Sequence, residues 1–330
     1  MIKTNVMEIK NLNVSLKTQG RDVPVVKNVS FNLYEGKVLG LIGESGCGKS
    51  ATCLSIMGLL ERDRWNVAGS IALNGQAIQG YNQEKVRRLR GGTLSMIMQN
   101  PIGSFNPLIT LGEHFIETIR CHKTVSKKEA QQIALEMLSK INLPQPQKIM
   151  KQYPFQLSGG MLQRVMIAIA LFMRPSVLIA DEPTTSLDVT VQYQILGELS
   201  QLRDNYKTSM LLVSHDLGII AQMADNVAVM YGGYIVEKAS ILEIFHNTLH
   251  PYTRALMQSK PSFTKNRLNV LEGYPPSIMQ IKAGCPFAER CSYVQKDCQK
   301  FEMSDYDLGS HTVRCLLYAS AEEAIPCACS

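Results

Sequence analysis

Residues 6–40 alternate between apolar and polar positions in the manner of strands. Segments 6–9, 13–16, 29–33 and 38–42 are short and β-rich, with turn chemistry at Gly20 and Glu35-Gly36. Residues 69–73, closed by Asn74-Gly75, read as a further strand with a tight turn. This pattern predicts a small antiparallel sheet beside a parallel core. The run 38–42 is unbroken and apolar, leads into a glycine-rich loop, and is followed by helical spacing over 50–60. Residues 94–98 read as a buried strand ending at Gln99. From 113 to 173 the chain is mostly helix-compatible, with breaks at Pro144, Pro146 and Pro154. Within it, Ser126-Lys127-Lys128-Glu129 fits a capping box that opens a helix over 129–141. Then come a strand (177–180), a helix (190–205), a strand (209–214) and a helix (217–224). Residues 227–231 and 234–236 pair around Gly232-Gly233. Such alternation means a parallel sheet covered by helices, an α/β fold. There is no internal repeat and no low-complexity tract.

After about residue 245 the helix signals fade, Pro and Cys accumulate, and Pro275-Pro276 reads as a rigid connector. The expected division is therefore 1–245 as the main domain, with a helical subdomain at about 104–175, and 246–330 as an extension. A length of 330 residues accommodates both. Net charge is +6, but the basic residues are dispersed. The densest cluster, from Lys85 to Arg90, holds four, which favours a solvated helix face over nucleic-acid binding. Near residue 157 the longest purely apolar run, 165–173, has nine residues, where a membrane span needs about 20. The first ten residues lack the apolar core of a signal peptide. A cytosolic chain is expected, with any membrane part supplied by other chains. Its nine cysteines then read as thiols or metal ligands rather than a disulfide framework.

Three segments carry the chemistry. Gly43-Glu44-Ser45-Gly46-Cys47-Gly48-Lys49-Ser50 fits GxxxxGKS in the strand–loop–helix context that a phosphate loop requires. Gly43, Gly46 and Gly48 let backbone N–H groups turn inward around phosphate oxygens. Lys49 adds a charge for the β and γ groups, and Ser50 a hydroxyl for Mg²⁺. Val177-Leu178-Ile179-Ala180-Asp181-Glu182 is an apolar strand tipped with two carboxylates. Strand alternation would point Asp181 toward Mg²⁺ and Glu182 toward the attacking water. Between these segments stands Leu157-Ser158-Gly159-Gly160-Met161. Ser158 caps a helix whose first amides, from Gly159 and Gly160, make an anion site together with the helix dipole.

The order of these segments resembles the ATP-binding subunit of an ABC transporter. Pro183-Thr184-Thr185-Ser186-Leu187-Asp188 continues the likeness through the D-loop, and Ser214-His215-Asp216 follows one strand later. The resemblance implies a RecA-like parallel-sheet core with an antiparallel β subdomain and a helical subdomain. It implies ATP held by Gly43, Glu44, Ser45, Gly46, Cys47, Gly48, Lys49, Ser50 and Ala51. Ser50, Asp181 and Gln99 then serve Mg²⁺. Glu182, His215 and Gln99 are the catalytic residues, and the loop at Gln99 faces a transmembrane partner. Ser158, Gly159 and Gly160 complete the ATP of an opposing subunit. Two departures stand out: Leu16 falls near the position of the adenine-stacking aromatic, and Met161 stands where Gln is commoner.

Longer strings resemble the peptide and nickel importer branch. They are Gln99-Asn100-Pro101-Ile102-Gly103-Ser104-Phe105-Asn106-Pro107 and His250-Pro251-Tyr252-Thr253. The implied assembly contains a second, homologous ATPase chain in a heterodimer, two permease subunits and an extracytoplasmic binding protein. It needs no nucleic acid, and the chain meets the membrane's cytoplasmic face only through the permeases. The expected cargo is a di- or oligopeptide, with nickel or a metal chelate as the alternative. A soluble ABC ATPase without a transporter is the alternative of another class. In the extension, Cys285, Cys291, Cys298 and Cys315 suit a [4Fe–4S] cluster or tetrahedral Zn²⁺, and plain thiols are the third option. The lack of paired C-x₂-C knuckles favours iron–sulfur, and so does the resemblance. Cys327 and Cys329 read as a frayed end, and Cys47, Cys53 and Cys121 as packing residues. Alkylation of Cys47 is expected to block nucleotide binding.

Overall fold

A computed structural model describes the chain except residues 1–3, 79–80, 82, 142, 186, 260–272, 275, 277–282 and 320–330. Pro275, Ser186, Cys327 and Cys329 thus lie outside the described residues. The chain runs β1 (Asn5–Thr18), β2 (Arg21–Tyr34), β3 (Val38–Ile42), α1 (Lys49–Ile56), β4 (Trp65–Leu73), β5 (Gln76–Ala77), α2 (Gln83–Leu89) and β6 (Leu94–Ile97). A helical stretch follows: α3 (Pro101–Ser104), α4 (Leu111–His122), α5 (Lys127–Lys140), α6 (Pro146–Ile149) and α7 (Gly159–Leu171). Alternation resumes with β7 (Val177–Asp181), α8 (Val189–Tyr206), β8 (Ser209–Val213), α9 (Leu217–Met223), β9 (Asn226–Tyr231) and β10 (Tyr234–Ser240). The last elements are α10 (Ile241–His246), α11 (Pro251–Gln258), β11 (Tyr306–Leu308) and β12 (His311–Val313). The fold is α/β, and it forms two compact units.

The first unit comprises Met1–Met7, Asn32–Val38 and Ala72–Val213. Here β6, β7 and β8 pair in parallel, with Ile97 opposite Ala180 and Asp181 opposite Val213. Every residue of β7 and β8 is buried, as expected of strands covered on both faces. Helices α4 and α5 both open with complete capping boxes, Thr110 with Glu113 and Ser126 with Glu129. Because Ser126 is the cap, α5 begins at Lys127, two residues before the predicted start. On α4 the buried residues are Leu111, Gly112, Phe115 and Ile119, one helical stripe. Cys121 lies off that stripe and is exposed, which corrects its reading as a packing residue. The basic run on α2 is solvated as expected, with Arg87 and Arg88 pairing exposed Glu84.

The second unit comprises Glu8–Phe31, Leu39–Ile71 and Ser214–Ser330. In it β9 lies between β3, its parallel neighbour, and β10, its antiparallel one. The extension joins this sheet: β12 pairs with β10, setting Val313 opposite Glu237, and β11 pairs with β12. Helix α1 stops at Ile56, short of the predicted residue 60. Gly58 has φ 62 and its N–H donates to the Ser55 carbonyl, while the Leu59 N–H reaches the Leu54 carbonyl. That glycine closure terminates the helix. Elsewhere Asn11 and Asn28 sit at positive φ, 50 and 47, inside β1 and β2. Their left-handed turns interrupt the apolar alternation without ending the strands, so the short predicted segments belong to two long strands.

Candidate active site

The phosphate loop is built on the buried strand β3 and opens α1. Two glycines are demanded by geometry. A Cβ on Gly43 would sit 2.1 Å from the Met230 carbonyl oxygen, and one on Gly48, at φ 107, would sit 2.9 Å from that of Val25. No side chain fits in either place. The Lys49 ammonium donates to the carbonyls of Gly43 (2.7 Å) and Glu44 (3.0 Å), so its charge is held inside the loop. Ser45, Gly46 and Ser50 are exposed, and Ala51 is half-buried. Cys47 is buried, and burial pushes its thiol pKa up. Leu16, on β1, is half-buried. His215 is exposed just beyond β8. An exposed hydroxyl beside a lysine-bearing glycine cradle is the donor set that a nucleotide with Mg²⁺ requires.

The first unit holds the acid-tipped strand. Asp181 is buried at the end of β7. Glu182 leaves the strand at φ 48, with its N–H donating to the Val213 carbonyl. A turn therefore separates the two carboxylates, where strand alternation was expected to do so. This left-handed backbone is uncommon for a residue with a side chain and costs about 1 kcal/mol or more. One carboxylate oxygen of Glu182 accepts hydrogen bonds from Gln99 Nε2 and Thr185 Oγ1, both at 2.9 Å. Gln99 and Glu182, placed together on the sequence, thus meet directly. Thr185 was not singled out, because a threonine after an acid pair carries no pattern of its own. Ser158 caps α7 by accepting from the Met161 N–H at 3.4 Å. Ser158 and Gly159 are exposed, and a Cβ on Gly160 would meet Val191 at 2.8 Å.

The extension contributes residues that the motif reading missed. Arg290 forms a two-pronged ion pair with Glu44 of the phosphate loop, at 2.7 and 3.0 Å. The Glu44 N–H donates to the Tyr252 hydroxyl at 2.9 Å. Tyr231, Tyr252 and Phe287 pack against one another, with ring centroids 4.5 to 5.4 Å apart. The available signals were Tyr252 in the His-Pro-Tyr-Thr string and Arg290 beside Cys291. Neither names its partner.

Cys285, Cys291, Cys298 and Cys315 line one cavity, together with His250, Phe287, Phe301 and Leu316. Burial pushes the thiol pKa of Cys285 up to about 11 and that of Cys315 up to about 12. His250 is fully buried, and burial lowers its pKa to about 4, so the ring is neutral. Its Nδ1 accepts the Tyr252 N–H, which leaves the proton on Nε2. Nε2 has no hydrogen-bond partner among the described residues. Also among the described residues, no three His, Cys, Asp or Glu side chains converge closely enough to hold a single metal ion.

A lysine-bearing glycine loop after a buried strand, and an acid pair at the end of another, are each features of phosphate-loop ATPases. Comparison with known proteins makes the class specific. The ABC transporter family profile matches residues 26–185, and that of the oligopeptide/dipeptide transporter C-terminal region matches 236–298. The chain is 42% identical to the dipeptide transport ATP-binding protein DppD of Bacillus subtilis, over 97% of each chain. It is 40% identical to the oligopeptide transport ATP-binding protein OppD of Salmonella typhimurium, over 88% of each. Among solved structures, the ATP-binding cassette MJ0796, dimeric with ADP and phosphate after hydrolysis, superposes with a TM-score of 0.64 at 25% identity. That match covers 71% of this chain and 98% of the cassette. The chain belongs to the ABC transporter family, as an ATP-hydrolysing, ATP-binding protein with the oligopeptide/dipeptide C-terminal region. No helix among its described residues is long and apolar enough to cross a membrane.

Proposed function

We propose that this chain drives uptake of di- or oligopeptides as the peripheral ATPase of an importer. The observation that carries the reading is the match to a peptide-transporter C-terminal region on the same chain as an ABC transporter domain. The partners are a second, homologous ATPase chain, two permease subunits and an extracytoplasmic binding protein. The chain works at the cytoplasmic face of the membrane and reaches it through the permeases.

In this reading Lys49 and the loop amides hold the phosphates, and Ser50, Asp181 and Gln99 hold Mg²⁺ in place. When bound, Mg²⁺ neutralises charge developing on the β and γ phosphate oxygens. Glu182 accepts a proton from the attacking water. The hydrogen bonds from Gln99 and Thr185 support this role, since they fix the orientation of the carboxylate. His215 contacts the γ-phosphate. Ser158, Gly159 and Gly160 present the positive end of α7 to the ATP of the partner subunit, so each site needs two chains. Leu16 offers apolar contact to the base. The test is uptake in a strain lacking this subunit. Dipeptide or oligopeptide uptake should fall to background and return on complementation. Loss of Ni²⁺ uptake with peptide uptake intact would reassign the cargo, and recovery of the chain only with ribosomes or DNA would refute transport.

The four-thiol cavity is read as a [4Fe–4S] site, held by Cys285, Cys291, Cys298 and Cys315. Its all-sulfur donor set supports this, as does the unpartnered Nε2–H of buried His250 in the cavity wall, a donor suited to a sulfur acceptor. Zinc fits less well, since among the described residues no three His, Cys, Asp or Glu side chains are arranged to hold a single metal ion. Anaerobic purification with an absorbance spectrum and iron and zinc analysis decides the matter. Colourless, metal-free protein would end the cluster reading.

A further inference from the structure

We propose that Arg290 is a positioning residue of the phosphate loop, and that through it the occupant of the four-thiol cavity sets nucleotide affinity. The second half of this inference rests on the cluster reading above. The first half rests on geometry alone.

Glu44 is held at both ends. Its carboxylate takes both prongs of the Arg290 guanidinium, and its N–H is engaged by the Tyr252 hydroxyl. Arg290 Nη1 also donates to the Tyr231 hydroxyl at 3.1 Å. Only 7% of the Arg290 side chain is exposed, against 23% for Glu44. A bidentate pair this sheltered fixes orientation as well as distance. It also cancels a charge. Glu44 stands in a loop that must accept a polyanion, and without Arg290 its carboxylate would repel the incoming phosphates. Here charge and geometry act together, since the guanidinium that neutralises Glu44 also holds the loop backbone that follows Gly43.

Arg290 is in turn set by the thiol cavity. It ends the short turn Ala288–Arg290, and the next residue is Cys291. At the turn's other side Cys285 donates its N–H to the Cys298 carbonyl at 2.8 Å. A group bound by Cys285, Cys291, Cys298 and Cys315 would brace this turn at both ends, because two of its ligands flank it. An empty cavity leaves the turn held by its backbone hydrogen bonds and by Phe287. The arginine's grip on Glu44 then loosens, and nucleotide affinity falls. Linkage is reciprocal, so bound nucleotide also raises the cavity's hold on its occupant.

The experiment measures equilibrium binding of a fluorescent ATP analogue, without Mg²⁺, to the full chain purified anaerobically and to the same protein stripped of iron. Arg290→Gln should weaken binding about tenfold, the scale of one lost charged hydrogen-bond pair. Arg290→Lys should recover part of this, since lysine restores the charge but not the two-pronged geometry. Arg290→Gln combined with Glu44→Gln should recover part of the loss, because the repelling carboxylate is gone while the two-pronged hold on the loop is not restored. A general packing role for Arg290 gives no such rescue, so its absence would overturn positioning, as would unaltered binding by Arg290→Gln. Iron-loaded wild type should bind at least about fivefold tighter than stripped protein, and Arg290→Gln should abolish the difference. Equal affinity of loaded and stripped wild type would overturn the link while the cluster reading stands. Protein that never carries iron would end both the cluster reading and the link, and the Arg290 and Glu44 variants would still decide positioning.

Discussion

The phosphate-loop region and the acid-pair region are held in different ways. The loop is fixed from behind by buried groups distant in sequence: Tyr231, Tyr252 and Phe287 pack into one aromatic cluster, and Arg290 reaches Glu44 from 246 residues away. The acid-pair region relies on more exposed contacts. Gln99, exposed after β6, meets half-buried Glu182, and Ser158 caps α7 on the surface. Buried, charge-assisted contacts hold a group still, whereas exposed hydrogen bonds exchange readily with water. The difference suits the two proposed tasks. A nucleotide needs a preformed cradle. Groups that act on water or on another subunit's phosphate must engage and release in each cycle.

The largest expected effect breaks the acid-pair side. Glu182→Gln removes the proton acceptor but keeps a side chain that Thr185 can still reach. ATP turnover should fall at least about 10²-fold while nucleotide still binds. Near-normal turnover would mean that another group takes the proton. The next effect probes the buried side. His250 is neutral in the fold because burial holds its pKa near 4, against about 6.5 in the unfolded chain. The lowered value means that its contribution to stability is present above pH 6.5 and is lost as pH falls toward 4. The total is about 3 kcal/mol. Glu237 faces the ring and accepts the His250 N–H at 2.9 Å, with His311 on its other oxygen. His250→Asn keeps an acceptor for the Tyr252 N–H without a titrating ring. Urea unfolding at pH 7 and pH 4 should show a smaller acid loss in this variant, and parallel losses would refute the assignment.

These two regions were also unequally legible in the sequence. The loop, the acid pair and the Ser126 capping box are local patterns, each written in fewer than ten consecutive residues, so spacing alone located them. The turn at Glu182 was not legible, because a left-handed backbone there follows from neighbours such as Val213 and leaves no mark on residue type. β1 and β2 read as fragments, since Asn11 and Asn28 interrupt the alternation while pairing continues. The Arg290–Glu44 pair was least legible. Composition marked off the extension, but a contact between residues so far apart depends on the pairing of β12 with β10 and on the aromatic cluster beneath it.

The smallest change in stability belongs to Ser158, where it separates a local role from one served on a partner. The cap bond to Met161 is long, at 3.4 Å, so Ser158→Ala should cost about 1 kcal/mol or less. That loss alone cannot distinguish a helix cap from a phosphate contact. Ser158→Asp can, since aspartate caps a helix as well as serine does, and its charge favours the positive end of α7. Stability by urea unfolding should stay within about 0.5 kcal/mol of wild type. ATP turnover should nevertheless collapse if α7 serves a partner's ATP as proposed, because the new carboxylate would take the place of the γ-phosphate. Nucleotide binding to the isolated chain should be unchanged, since the proposed site for the chain's own ATP is at Lys49. Full turnover in Ser158→Asp would show that α7 serves its own chain only as a structural helix, and would remove the requirement for a second subunit at each site.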